Sequence, residues 1–137
     1  MRLRRLTVRF FLNDILGDFV VQNASNSGVG RAVIQIAKIL DIGTINIVRQ
    51  RPNVQELKDD LMQLGATYVL VDEDLKKPEI REWFEQPGMA RHLRLGLNCV
   101  GGRSAVDIAK VLTYVRSHKC ALLISTFCVM IEREVHL

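Results

Sequence analysis

Aromatic residues are scarce in this chain: one Trp, two Tyr and five Phe make up 6% of its 137 residues. A surface that binds single-stranded nucleic acid by stacking needs such rings interleaved with basic residues. Lys and Arg exceed Asp and Glu by only 19 to 15, a net charge of +4, and they are scattered. Nucleic acid is therefore not expected as a partner. The three cysteines, Cys99, Cys120 and Cys128, have no CxxC spacing, and an odd count supports neither a disulfide frame nor a zinc site. They suit a reducing compartment. His92, His118 and His136 lie far apart without ligand spacing, so no metal is expected. The longest apolar run, 120–131, contains Ser125 and Thr126 and is too short to span a bilayer as a helix. Acids are missing before Asp14, while Arg2, Arg4, Arg5 and Arg9 precede it. That pattern resembles an organellar transit peptide, although serine is absent there; a plain start with solvated arginines is the alternative.

An apolar fraction of 48% with 25% charged residues is ordinary for a globular domain, and the length suits one. With no linker or low-complexity stretch, the expected organisation is a leader over 1–17 and one domain over 18–137, whose 113–137 part diverges. After the turn signal Gly17-Asp18, Phe19 to Val21 reads as strand one. Val33, Ile36, Ala37 and Leu40 then recur at helical spacing, with Arg31, Gln35 and Lys38 outward and Gly43 as the cap. Thr44 to Val48 is a β-branched second strand. Asn53 with Glu56 is a capping-box signature, followed by Val54, Leu57, Leu61 and Leu64 on the buried face of helix two, which Gly65 ends. Thr67 to Val71 is strand three. Ile80, Trp83 and Phe84 in the charged stretch 72–86 are placed to cover the sheet, and Pro78 suits a helix start. Leu93 to Val100 is strand four. Ser104 with Asp107 is another capping-box signature, and 120–131 would be strand five. Strands alternating with helices imply an α/β fold: a doubly wound, Rossmann-like parallel sheet with helices on both faces, here truncated.

The loop after strand one is Asn23-Ala24-Ser25-Asn26-Ser27-Gly28-Val29-Gly30. In a doubly wound fold it faces the crevice beyond the strand ends, where ligands bind. Pyrophosphate needs close backbone approach, free N–H groups and the positive end of a helix dipole. Residues 25–30 align with a G-x-G-x-x-G frame in which Ser25 and Ser27 replace the first two glycines and Gly30 supplies the third. Serines keep the loop narrow and add hydroxyls. A tight turn of small residues is the plain alternative. Arg49 lies nineteen residues after Gly30, where an acid would select NAD by binding the ribose 2′-hydroxyl. A guanidinium can instead grip a 2′-phosphate with two donors, and Arg51 adds a second charge. NADPH is therefore the expected cofactor; two solvated arginines are the alternative. Asn98-Cys99-Val100-Gly101-Gly102 closes strand four with a glycine pair, a turn that lets backbone approach a ligand and that also occurs in plain turns.

The runs Val21–Gly30, Thr44–Arg49 and Leu97–Gly102 resemble the mitochondrial trans-2-enoyl-thioester reductases, a zinc-free branch of the medium-chain dehydrogenase/reductase superfamily. The resemblance covers about Leu12 to about Ala109. It implies NADPH-dependent reduction of the 2,3 double bond of an enoyl thioester in mitochondrial fatty acid synthesis, and a mitochondrial location. It places cofactor contacts at Asn23, Ser25, Ser27, Gly28, Val29 and Gly30, at Arg49 and Arg51, and, near the nicotinamide, at Asn98, Cys99 and Val100; Asn26 lies within the same loop. Members of the group are longer, and their catalytic domain comes mainly from sequence preceding the cofactor domain. Only eighteen residues precede strand one here, and Tyr68 and Tyr114 lie elsewhere than the group's tyrosine, so no catalytic residue carries over. The expectation is a fragment that binds NADPH without turnover, with an enoyl thioester as partner only when a substrate domain is present. Alternatives are a non-catalytic fragment that forms a homodimer or pairs with full-length subunits, and an NADPH-dependent quinone-reductase-like domain. The Asn26-Ser27 pair argues against the last, whose loop usually carries glycine or alanine.

Overall fold

The computed structural model describes residues 18–86, 89, 92–114, 119–124 and 127–132. The expected leader, Gly17 and several positions of the divergent segment lie outside them. The chain order is β1 (Phe19–Gln22), α1 (Gly28–Ile39), β2 (Gly43–Val48), α2 (Val54–Leu64), β3 (Tyr68–Val71), a 3-10 turn (Asp74–Lys76), α3 (Glu79–Glu85), β4 (Leu93–Asn98), α4 (Gly102–Tyr114), β5 (Lys119–Ile124) and β6 (Phe127–Glu132). The strands form one sheet in the order β3-β2-β1-β4-β5-β6. The first five run parallel, and β6 returns antiparallel to β5. The α/β, Rossmann-like expectation is met. The strand order reverses between β1 and β4, which places the crevice at their C-terminal ends.

Alternation along the strands decides what each face buries. Val21, Ile45 and Ile47 face α3 and α4 and pack with Phe84, Ile108, Val111 and Leu112. Val20 faces the other way, with Ala37, Ile42 and Leu95. Ile34 of α1 and Leu61 of α2 close that second face over Val48 and Val71. Helices thus cover both faces. Five of the few aromatics are gathered in one row, Phe19, Tyr68, Trp83, Phe84 and Tyr114, with edge-on contacts of 5.1 Å between Tyr68 and Trp83 and 4.8 Å between Trp83 and Phe84. At the opposite end of the sheet from the crevice, Asp18 holds the starts of β1 and β4 together. Its Oδ1 lies 2.7 Å from His92 Nδ1, and its Oδ2 makes a charge contact of 3.2 Å with Arg94 Nε that lacks hydrogen-bond geometry.

Several local expectations are corrected. The buried face of α1 is Gly30, Ile34 and Ala37, whereas Ile36 is exposed. The apolar residues of α1 exceed what one face can hold, and Gly30 fixes which face approaches the sheet. Gly43 does not cap α1. Asp41 takes the left-handed conformation there (φ 57), and Gly43 opens β2, where a Cβ would stand 2.3 Å from the Phe19 ring. Asn53 occupies the cap position of α2 without its side chain accepting a first-turn N–H, while Gly65 ends that helix at φ 122 as expected. Ser104 lies inside α4 and does not cap it. The expected fifth strand over 120–131 is two strands. A six-residue β4 offers pairing for only half of such a length, and folding back lets β6 satisfy the other edge of β5.

Candidate functional site: the crevice at the strand switch

A cleft of about 480 Å³ opens at the C-terminal ends of β1, β2 and β3 and the start of α4. Its walls include Asn26, Ser27, Arg49, Arg51, Asp72 and Arg103. The loop over residues 23–27 is held open from below. Asn23, almost fully buried, donates from Nδ2 to Asn98 Oδ1 at 2.7 Å and to Ser104 Oγ at 3.0 Å, and its Oδ1 accepts from Cys99 N at 2.8 Å. Asn98 Oδ1 also accepts from Val100 N and Gly101 N, at 3.2 and 3.0 Å. Two asparagines therefore tie β1 to β4 at the strand switch and shape both loops that leave it.

The next turn of the loop is set by backbone. Ala24 adopts φ 49, and Ser27 N donates to Ala24 O at 3.0 Å. Ser27 then caps α1, its Oγ accepting from Gly30 N at 3.1 Å. The first turn of α1 has no acid to neutralise its N-terminal dipole. A Cβ on Gly28 would meet nothing within 4 Å, so this end of the helix stands open. A Cβ on Gly30 would lie 2.6 Å from Ala24 O and Ser25 Cα. Gly30 is what lets the helix start lie against the loop. Gln22, buried beneath them, reinforces this contact by donating from Nε2 to Gly30 O at 2.9 Å and to Asn46 Oδ1 at 2.8 Å.

The other wall is cationic. Arg49 and Arg51 follow β2 directly, are exposed, and form no ion pair among the described residues. Lys76 and Arg103 line the same cleft and are likewise without an ion pair there. By contrast Arg31 is engaged with Asp60 of α2 and with Asn26 O. The arrangement offers a helix N-terminus, narrow loop backbone and several uncommitted cations to one ligand. An anionic ligand with more than one phosphate suits it.

Of the residues singled out in the sequence, the structure brings Asn23, Asn26, Ser27, Arg49, Arg51 and Val100 to this cleft. Gly28 and Val29 are exposed at the α1 start, and Cys99 is exposed at the end of β4. Ser25 is fully buried and donates from Oγ to Gln22 O at 3.1 Å, so its side chain serves the loop and does not face the cleft. Asn98 is likewise buried beneath it. The sequence reading missed Ala24, Asp72, Lys76, Arg103, Ser104 and Asp107, all of which line the cleft. Two had an available signal: Asp72 directly follows the third strand, and Arg103 follows the glycine pair in the first turn of the helix after β4, both on the side of the sheet where the strands end. Among the described residues no cluster of potential metal ligands occurs, and no helix is long and apolar enough to cross a membrane.

No protein-family model matches the chain. Human mitochondrial enoyl-[acyl-carrier-protein] reductase is 51% identical over 96 residues, 70% of this chain and 25% of the relative. Among solved structures, a mitochondrial 2-enoyl thioester reductase heterodimer from Candida tropicalis superposes with a TM-score of 0.62 at 34% identity, covering 68% of this chain and 26% of that one. One of those two subunits in a complex with NADP and crotonyl-CoA gives a TM-score of 0.62 at 34% identity, covering 69% and 26%. The chain spans about a quarter of the length of these relatives. Over that quarter the chain is homologous to the mitochondrial enoyl-[acyl-carrier-protein] reductases and shares their α/β fold.

Proposed function

We propose that the cleft binds NADPH. The observation that carries this is the pairing, in one cleft, of an acid-free helix N-terminus with two arginines that have no ion-pair partner. Asn26, Ser27, Gly28 and Val29 would hold the pyrophosphate at the start of α1, with Gly30 keeping that start close to the loop. Arg49 and Arg51 would hold the 2′-phosphate, and Cys99 and Val100 would border the nicotinamide side. Asn23, Ser25 and Asn98 would act from beneath by fixing the loops. When bound, the cofactor supplies a hydride. A related subunit forms a complex with NADP and crotonyl-CoA, which supports the same nucleotide for this chain.

In this reading, reduction of an enoyl thioester in mitochondria belongs to the protein that carries the remaining three quarters of the relatives' length. The 137-residue chain alone binds the nucleotide without turnover. Titration of the purified chain with NADPH and NADH tests the binding. Arg49→Glu should weaken NADPH by about 1.5–3 kcal/mol and leave NADH nearly unchanged. Equal losses for both cofactors would remove Arg49 from the 2′-phosphate. Steady-state reduction of crotonyl-CoA by the chain alone would contradict the second part.

A second reading rests on β6. This strand ends the sheet, and its outer edge has no partner strand among the described residues. Such an edge accepts another strand, and a related reductase is a heterodimer. We propose pairing with another subunit there, to be tested by light scattering of the chain alone and mixed with a full-length reductase.

A further inference from the structure

The cleft contains an acid at an informative place. Asp72 follows β3 and lines the same wall as Arg49 and Arg51. An acid beside a nucleotide ribose ordinarily accepts from the 2′-hydroxyl and favours NADH, and its charge opposes a 2′-phosphate. In this structure one of its two carboxylate oxygens is already in use. Asp72 Oδ1 accepts from Gln50 N at 3.0 Å and from its own neighbour Glu73 N at 3.0 Å. The backbone returns the contact, Asp72 N donating to Val48 O at 2.9 Å.

Gln50 lies between the two arginines. Residues 49–51 leave β2 and are all exposed, so no packing fixes them. At the far end of this stretch Arg51 O accepts from Val54 N at 3.2 Å. Fixing the peptide of Gln50 therefore sets the direction from which both guanidinium groups reach the cleft. A long exposed arginine loses much rotamer entropy when it is held, and a preorganised backbone reduces what remains to be ordered.

We propose that Asp72 is a positioning residue for nucleotide selectivity: by holding Gln50 N–H it aims Arg49 and Arg51 at a 2′-phosphate, and it acts through its acceptor oxygen and not its charge. This rests on the NADPH reading above. The experiment measures Kd for NADPH and NADH with the full 137-residue chain, its Asp72→Ala variant and its Asp72→Asn variant. Asp72→Ala should lower the NADPH preference about tenfold with NADH affinity unchanged. Asp72→Asn keeps an acceptor at Oδ1 and should retain the preference, or raise it as the opposing charge is removed. In hydrogen exchange, the Gln50 amide should lose protection in Asp72→Ala while the amides of β2 keep theirs.

A wild-type preference that survives Asp72→Ala overturns the proposal and leaves the NADPH reading intact. Loss of preference in Asp72→Asn as well overturns it too, because charge is then the agent. A wild-type chain with no NADPH preference defeats both readings. If Asp72→Ala does not fold, Asp72→Glu serves instead: it keeps the charge and moves the acceptor by one methylene, so a wild-type preference in that variant overturns the proposal.

Discussion

Asn23 Nδ2 lies 2.7 Å from Asn98 Oδ1, joining side chains 75 residues apart across the strand switch. The same two amides accept three backbone N–H groups from the loop after β4. Neither side chain is exposed enough for water to replace these bonds. The crevice is thus kept open by buried amides that belong to its floor.

Removing one of them should cost more than one hydrogen bond. Asn23→Ala leaves Asn98 without its side-chain donor and Cys99 N without its acceptor. We expect a loss of about 2–3 kcal/mol in urea unfolding. A double-mutant cycle with Asn98→Ala should show coupling of about 1 kcal/mol. Simple additivity of the two substitutions would show that they do not act as one clamp.

Two glycines of the loop should behave oppositely. Gly30→Ala drives a Cβ into backbone atoms of Ala24 and Ser25, which have no side-chain freedom to yield. It should destabilise the chain by about 2–3 kcal/mol. Gly28→Ala meets open space at the helix start and should change stability by less than about 0.5 kcal/mol. Thermal unfolding of both variants decides the matter. If Gly30→Ala were neutral, the close approach of α1 to the loop would not be a constraint.

The segment leading from β3 to α3 should respond to acid. Burial opposes ionisation of Asp74, but Lys77 and the N–H of Val71 outweigh it and hold the carboxyl below its ordinary value of 3.8. Its Oδ1 lies 2.6 Å from Lys77 Nζ, and its Oδ2 accepts from Val71 N at 3.1 Å. A lowered pKa in the folded state means that the contribution is complete above pH 3.8 and is lost as pH falls through the folded value. Lys77 is exposed and solvent screens the pair from its side, so Asp74→Asn should cost only about 0.5 kcal/mol at neutral pH. That difference should shrink as pH falls under 3.8 and vanish in acid unfolding curves recorded below the folded-state value, which lies lower still. A gap that persists there would assign the effect to something other than the carboxylate charge.

Short apolar or β-branched runs alternating with segments of helical spacing made the strands of the parallel sheet and the order of its elements legible in the sequence. The turn after β2 was legible for a similar reason: Arg49 and Arg51 sit at a fixed distance from the loop, and the sheet keeps that distance. What failed were positions at which two patterns compete. On α1, Val33, Ile36, Ala37 and Leu40 read as one face, yet Ile34 is fully buried and Ile36 is not. Ser104 and Asp107 match a capping signature, but α4 begins earlier, at Gly102, which leaves the Ser104 hydroxyl to receive Asn23.

The sequence by itself determined the fold class, the narrow loop and the charge at its far wall, since these depend on local period, small side chains and spacing. Tertiary structure alone decided the role of each polar residue. Ser25 and Asn98 are buried beneath the cleft, Ser27 caps a helix, and Asp72 reaches across to the backbone of Gln50. Hydrogen bonds between strands distant in sequence fix which donors and acceptors are consumed within the protein. Those left over, the open start of α1 and the guanidinium groups of Arg49 and Arg51, are the ones available to a ligand.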